Sequence, residues 1–548
     1  MFSRVISAAV YGIDAYIVNV ETDVGFGLPT FDMSGALGSK VREAKDRVRV
    51  AIKNSGIELT PQKIVINISP ANIRKEGTIY DLPIAIGILA ANGCFDLKIL
   101  ENVLIIGEVS LDGSINPVKG VLPMVCAAKE AGIDNCIIPK ANIAEGRIMN
   151  NINIYGVETL SQTIEILKNI AVIDGSRKNI KQADVKSGEC NKSDGNINND
   201  TYNVLERSRV KFTYSSEVKN NNHSCSYNID YSDISGQEAA KRATMIAVSG
   251  MHNIMYIGPP GSGTTMLAQR IPTIMPDMDY EEQLRLTKIY SVAGLLDSEG
   301  GIMVKRPFRN PHHTITQAAL LGGGAVPRPG EITLSEGGVL FLDEMTEFNQ
   351  VIMEALRQPL EDKVITLVRV NAAYTYPAHF MLAAAINPCK CGYYPDRNRC
   401  HCSEYDIRRY IGRISNPMWD RFDMCIKTEE IGYEQLGDKN HGDTLDSSYM
   451  KQAVDRARAA QIKRFNGRDI MYNSQMGGKE IEEFCGLGKE EEQLIGRIFT
   501  RKHITARGYH KILKTARTIA DIEGNDKISS ANISEAFYYR GIPEVAIH

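Results

Sequence analysis

The stretch Ile254-Met-Tyr-Ile-Gly-Pro-Pro-Gly-Ser-Gly-Thr-Thr265 decides the fold. Residues 254–257 form an apolar run that reads as a buried strand, and a glycine-rich turn follows. A helix opens near Thr265 and carries Met266, Leu267 and Ala268. Strand, glycine loop and helix in that order make a phosphate cradle. Glycines let backbone N–H groups approach phosphate oxygens, and the helix N-terminus adds partial positive charge. The pattern G-x-x-x-x-G-K-[ST] is met at Gly258, Gly263 and Thr265. It fails once, because Thr264 stands where the pattern has lysine. Pro259, Pro260, Gly261, Ser262 and Met266 complete the expected nucleotide-binding set. A hydroxyl at position 264 supplies no fixed charge beside the β- and γ-phosphates, so turnover should suffer severely and affinity less.

Residues 337–344 read Gly-Gly-Val-Leu-Phe-Leu-Asp-Glu. Four apolar residues make a buried parallel strand, and Asp343 and Glu344 leave its C-terminal end, where an open α/β sheet places its ligands. Thr265 and Asp343 offer hard oxygen ligands to Mg²⁺. Glu344 is positioned to polarise an attacking water. Downstream of a phosphate loop, the pair reads as catalytic rather than as an ordinary strand end. Cys389, Cys391, Cys400 and Cys402 form two close pairs across a short polar loop. Two readings stay open for them: a structural Zn²⁺ site with His401 as a spare ligand, or four free thiols in a surface loop.

Composition narrows the class. A chain of 548 residues should hold several domains, and 43% hydrophobic with 24% charged residues is ordinary for soluble globular protein. A formal net charge of −3 excludes a global nucleic-acid signature, so any DNA contact must be local. No apolar run approaches the length of a membrane span, so no membrane partner is expected. The first residues are too quickly followed by Asp14 to make a good secretory signal. Eleven cysteines, scattered except for four, suit a reducing compartment, and the expected location is the cytoplasm.

Residues 176–229 are rich in Asn, Lys, Ser, Asp and Gly and read as a flexible polar linker. Residues 205–212 there suit a short element, and Cys190 and Cys225 are incidental. Before it, residues 1–175 suggest a strand pair about the turn Tyr11-Gly12-Ile13-Asp14, and helices over 39–54, 82–91 and 124–131. Strands are expected at 64–68, 103–107 and 136–139, with a hairpin turn at Asp112-Gly113. After it, residues 230–435 carry the phosphate loop, and 436–548 form a C-terminal helical unit.

Two resemblances refine this. Gly107-Glu-Val-Ser-Leu-Asp-Gly113, Ala127-Ala-Lys-Glu-Ala-Gly132 and Ile137-Ile-Pro-Lys140 resemble the proteolytic domain of Lon, which uses a serine activated by a lysine. Aligned through Lys75-Glu-Gly77, the serine position falls on Ile79 and the lysine position near Leu122, both apolar. A shifted alignment offers Lys119 or Ser114 instead. The front domain is expected to be a non-proteolytic relative.

Gly236-Gln237, His252-Asn253, Arg306-Pro-Phe-Arg-Asn-Pro-His-His-Thr314, Phe341-Leu-Asp-Glu344, Asn387-Pro-Cys389, Asp420-Arg-Phe-Asp423 and Ala506-Arg-Gly-Tyr-His510 occur in order. They resemble the magnesium-chelatase-like AAA+ ATPases of the YifB/ComM type. That resemblance implies an α/β fold, an AAA+ P-loop core with a helical lid, preceded by a Lon-protease-like α+β domain. It implies ATP and Mg²⁺ as cofactors. It also implies roles: Asn387 as sensor 1 near the γ-phosphate, Arg421 as a finger acting on a neighbour's ATP, and Arg507 as sensor 2 at the start of the lid helix. A finger needs a neighbour, so a homo-hexamer is expected.

The implied activity is an ATP-dependent helicase or branch-migration motor on single-stranded or branched DNA, without sequence preference, in natural transformation or recombination. Residues 361–377 read as a hairpin that points into the pore in related ring helicases. Lys363 and Arg369 within it, with Lys305, Arg306 and Arg309 outside it, are candidate phosphate contacts. Lys305 and Arg306 are also candidates to replace the missing lysine charge. Three rivals remain: a protein-remodelling ATPase as in magnesium insertion into porphyrin, a nucleotide-binding scaffold without turnover, and a Lon-like peptidase.

Overall fold

The computed structural model describes residues 1–170, 227–296, 301–324, 327–369, 372–430, 445–502 and 504–540. The expected linker lies almost wholly outside the described residues, with Cys190, Cys225 and the short element at 205–212, and so does Asn371 at the hairpin tip.

The front of the chain builds a seven-stranded sheet. Its longest ladder is antiparallel, β1 (Phe2–Tyr11) on β2 (Asp14–Gly25), about the turn at Gly12-Ile13. The strand order is β3-β4-β2-β1-β5-β8-β9, with β3 at Phe31–Ser34, β4 at Lys63–Ser69, β5 at Val103–Ile105, β8 at Asn135–Pro139 and β9 at Asn153–Val157. The short pair β6 (Glu108–Val109) and β7 (Ile115–Asn116) folds about Asp112-Gly113. Helix Asp81–Ala91 is buried along its whole length, which its unbroken apolar sequence demands. The helix expected over 39–54 divides at Glu43 into Ser39–Arg42 and Ala44–Asn54.

The two positions that would carry protease chemistry are packed apolar groups: Ile79 joins the front core and Leu122 is fully buried. The shifted pair fails as well. Ser114 Oγ donates to Asp112 Oδ1 (2.7 Å), while Lys119 Nζ reaches the carbonyl of Ala293 (3.5 Å), outside the front sheet.

The second unit holds a five-stranded parallel sheet in the order β11-β14-β17-β10-β18. These are β10 (Ile254–Ile257), β11 (Phe308–Arg309), β14 (Val339–Leu342), β17 (Met381–Ile386) and β18 (Met424–Lys427). Every residue of β10, β14 and β17 is buried, as a sheet covered on both faces requires. Two small ladders lie outside it: β12 (Gly322–Gly323) with β13 (Arg328–Pro329), and the expected hairpin of β15 (Val364–Arg369) with β16 (Ala372–Pro377).

Helices Ser447–Arg464, Ala506–Glu523 and Ser530–Tyr538 share a core with helix Glu238–Gly250. They anchor near the amino ends of the strands. Gln461 Nε2 donates to the Ser249 carbonyl (2.8 Å), and His252 Nε2 pairs with Thr518 Oγ1 (2.8 Å).

The front sheet seats on the second unit at the β1–β2 turn. The rings of Tyr11 and Tyr374 lie 4.8 Å apart, and Tyr11 O–H donates to the Ala373 carbonyl (2.6 Å). Lys288 Nζ donates to Asp14 Oδ1 (3.1 Å), and the N–H of Gly120 donates to the Ser291 carbonyl (3.1 Å).

Candidate nucleotide site

The loop 258–263 joins β10 to helix Thr264–Gln269. Gly263 has φ +82°, which a Cβ would oppose, and its turn sends the chain directly into the helix. Gly261 has φ +81°. Three side chains hold the loop. Gln237 Nε2 donates to the carbonyls of Ser262 (3.0 Å) and Glu429 (2.5 Å), and Ser262 Oγ pairs with Thr428 Oγ1 (2.8 Å). Gln237 itself sits at φ +60° to make that reach. Neither its role nor that of Thr428 is visible in the motif pattern, although Gly236-Gln237 flags the place.

Strand register brings the chemical groups to one end of the sheet. Ile257 is opposite Ile386, and Leu342 is opposite Ala384, so Asp343 and Glu344 leave β14 at the same carboxyl end as Gly258 and Asn387, level with the last residues of β17. Because β17 lies between β10 and β14, Asn387 emerges between the loop and the carboxylates. Thr265 Oγ1 donates to Asp343 Oδ2 at 2.9 Å. Glu344 is exposed, in the left-handed region at φ +50°, and its N–H donates to Asp343 Oδ1 (3.0 Å). A hydroxyl and a carboxylate side by side at the head of an amide-rich loop fit a phosphate-bound hard cation.

The two arginines occupy the other end of the sheet. Arg421 and Arg507 line a cavity of about 870 Å³ with Asn253, Phe380, Asp423 and Lys511. Asn253, Phe380 and Asp423 immediately precede β10, β17 and β18, so this cavity lies at the amino ends of the strands. Arg421 Nη2 donates to Glu361 Oε1, and the Arg421 carbonyl accepts from Asn253 Nδ2 (2.9 Å). Lys511, on the same helix as Arg507, pairs with Asp423 (3.0 Å) and donates to the Phe422 carbonyl (3.1 Å). Burial pushes the pKa of Asp423 up, but Lys511 and His252 outweigh it and hold the carboxyl below the usual range. Sequence reading gave Lys511 and Asp423 no role, because their partnership exists only after the helix has packed.

Most of the proposed phosphate contacts are already engaged. Arg306 is buried and donates to the carbonyls of Pro276 (2.6 Å) and Gly337 (2.5 Å), which also removes it as a substitute for the missing lysine. Arg309 forks onto Glu331 at 2.6 and 2.8 Å. Burial lowers the pKa of Lys363, which lines the amino-end cavity. Lys305 Nζ lies 5.3 Å from the centre of the Tyr227 ring. Arg369 is exposed on the hairpin and donates to the Gly324 carbonyl (3.3 Å).

The four cysteines converge: their Sγ atoms all lie within 4.8 Å of one another. Cys389 and Cys400 are buried, whereas His401 is exposed and outside the group. The backbone N–H of Tyr393 draws the Cys391 thiol down to about 7.

Residues 230–436 match the family described as magnesium chelatase, subunit ChlI; residues 20–142 match subunit ChlI of Mg-chelatase, and residues 444–540 the ChlI C-terminal family. Competence protein ComM of Haemophilus influenzae is 35% identical over 541 residues, covering 98% of this chain and 97% of that protein. The uncharacterized protein YifB of Escherichia coli is 36% identical over 548 residues, covering 100% and 98%. The archaeal Lon protease of Thermococcus kodakarensis is 31% identical over 151 residues, 27% of this chain and 23% of that protein. No helix among the described residues is long and apolar enough to cross a membrane.

Proposed function

The chain belongs to the magnesium-chelatase-like family that includes ComM and YifB, and from that membership we propose an ATP-driven ring motor acting on DNA. The supporting observation is the opposed placement of its parts. The phosphate loop, Asp343, Glu344 and Asn387 stand at the carboxyl ends of the sheet, and Arg421 and Arg507 stand at the amino ends. In a closed ring, one subunit's arginines meet the next subunit's loop, so each site is shared between neighbours. On this reading the helical segment from Ser447 acts as a lid through Arg507, towards the adjoining subunit's nucleotide.

Loop amides from Gly258 to Thr264 would hold the phosphates of ATP, with Thr265 and Asp343 on Mg²⁺. Bound ATP supplies the phosphoanhydride whose cleavage does mechanical work. Glu344 takes the proton from the attacking water, and Asn387 orients that water. The role in competence rests on the relative named competence protein, and the contact with single-stranded or branched DNA on the exposed Arg369 of the hairpin. Nine unpaired thiols among the described residues favour the reducing cytoplasm.

A second reading, nucleotide binding with little turnover, is favoured by Thr264. One comparison separates the two. The chain as written and Thr264→Lys are assayed for ATP hydrolysis with and without branched DNA, and for assembly by light scattering. A DNA-stimulated rate in a hexamer supports the motor. Nucleotide binding without hydrolysis in both forms supports the second reading.

A further inference from the structure

We infer that Cys389, Cys391, Cys400 and Cys402 bind one Zn²⁺ as a tetrathiolate, and that the metal-bound loop braces the phosphate loop. The sulfur geometry carries the first half. A tetrahedral ion with Zn–S bonds of about 2.3 Å sets its sulfurs about 3.8 Å apart. The Cys389–Cys400 separation is 3.7 Å, Cys389–Cys391 is 3.3 Å, and all four sulfurs fall within 4.8 Å. The donor set is all soft thiolate, with no carboxylate in the group, which disfavours Mg²⁺ and Ca²⁺. Sulfurs this close suit a single ion better than a cluster whose ligands sit on separate irons.

The loop between the pairs is ordered for binding. The Cys400 N–H donates to the Asp396 carbonyl (2.8 Å), Arg397 Nη1 donates to the Cys402 carbonyl (2.9 Å), and the Arg399 guanidinium stacks 3.9 Å over Tyr393. Binding is a simple exchange: each thiol releases its proton to solvent as its sulfur bonds zinc, and nothing is oxidised or reduced.

The second half rests on Gly392, directly after Cys391. It has φ +88°, and a Cβ there would come 2.4 Å from Cδ of Pro260. The backbone beside one ligand is therefore pressed against the phosphate loop. Asn387 lies two residues before Cys389 on the same segment. Arg399 also pairs with Glu430 (2.5 Å), next to Glu429, whose carbonyl accepts from the same Gln237 Nε2 that donates to the Ser262 carbonyl. Fixing the four sulfurs fixes both borders of the loop. This second half rests on the nucleotide-site reading; the metal site does not.

The test uses the full chain, purified under reducing conditions. Elemental analysis should give about one zinc per chain, falling below about a tenth in the Cys389→Ser, Cys400→Ser double variant. In case that variant misfolds, unaltered chain stripped by chelation is offered Zn²⁺ against a chromogenic chelator, and Co²⁺ for thiolate charge-transfer absorption. Uptake of one equivalent supports the site. No uptake by the reduced stripped chain, iron in place of zinc, or a disulfide in the freshly isolated protein overturns it.

Fluorescent-nucleotide titration then reads the brace. Stripping zinc, or Gly392→Ala with zinc retained, should weaken binding about tenfold. Unchanged affinity overturns the brace and leaves the metal site. No nucleotide binding by the zinc-loaded chain refutes the nucleotide reading, and the brace with it, while the metal site stands.

Discussion

Arg421 reaches across the amino ends of the sheet and donates from Nη2 to the carboxylate of Glu361. Its Nε is buried without a partner, so the guanidinium is only partly satisfied within its own subunit. To act as the proposed finger, Arg421 must leave Glu361 and meet a phosphate on the neighbouring subunit. In the Thr264→Lys background, Arg421→Ala should cut hydrolysis on the order of 10³-fold with nucleotide affinity retained. Mixing Arg421→Ala subunits with Glu344→Gln subunits should restore part of the rate, because each supplies what the other lacks. Normal hydrolysis by Arg421→Ala alone would remove the finger assignment.

Thr264→Lys itself should raise ATP turnover on the order of 10²–10³-fold, the usual worth of one charge aimed at a developing negative centre. Affinity should change less, since on the proposed reading the loop amides hold the phosphates without it. A steady-state assay on both proteins decides the matter, and equal rates would refute the assignment of the defect to position 264.

Asp423 binds the C-terminal helices to the strand ends through Lys511, at 3.0 Å. Its folded carboxyl ionises below the unfolded value of about 3.9, so its contribution is complete above that pH and is lost as the solution grows more acid. Asp423→Asn should cost on the order of 3 kcal/mol near neutrality. The gap between the two proteins should close as pH falls below about 4. The single tryptophan, Trp419, is buried nearby in sequence and gives the urea-unfolding signal. Equal stability of both proteins at neutral pH would contradict the anchor.

On the proposed DNA reading, the logarithm of DNA affinity should fall linearly with the logarithm of salt concentration. Arg369→Ala should lower that slope by about 0.7–0.9, one phosphate contact. Arg309→Ala should leave the slope unchanged, because Glu331 already neutralises Arg309. An Arg369→Ala slope identical to the parent's would move the interface off the hairpin.

The strands at 254–257, 339–342 and 381–386 are legible in the sequence because a sheet covered on both sides needs unbroken apolar runs. The loop is legible because its glycines and hydroxyls have fixed spacing. Pairings across distance are not. Nothing in the letters of Arg306, Arg309 or Lys363 says that carbonyls, Glu331 or burial have already claimed them. The cysteine spacing announces two pairs but not that Gly392 presses on Pro260. Likewise, Arg421 and Arg507 line one cavity only once the helix carrying Arg507 and Lys511 has packed against the strand ends, with Lys511 on Asp423.

The seam between Tyr11 and Tyr374 gives the front sheet a mechanical meaning. Any tug on the hairpin would reach the front sheet at the turn of the ten-pair ladder of β1 and β2. The turn hands such a load to two paired strands at once, so it is spread over the front sheet rather than carried by one loop. If the proposed motor moves its hairpin, a domain with apolar groups at its peptidase positions can still serve as ballast against that motion.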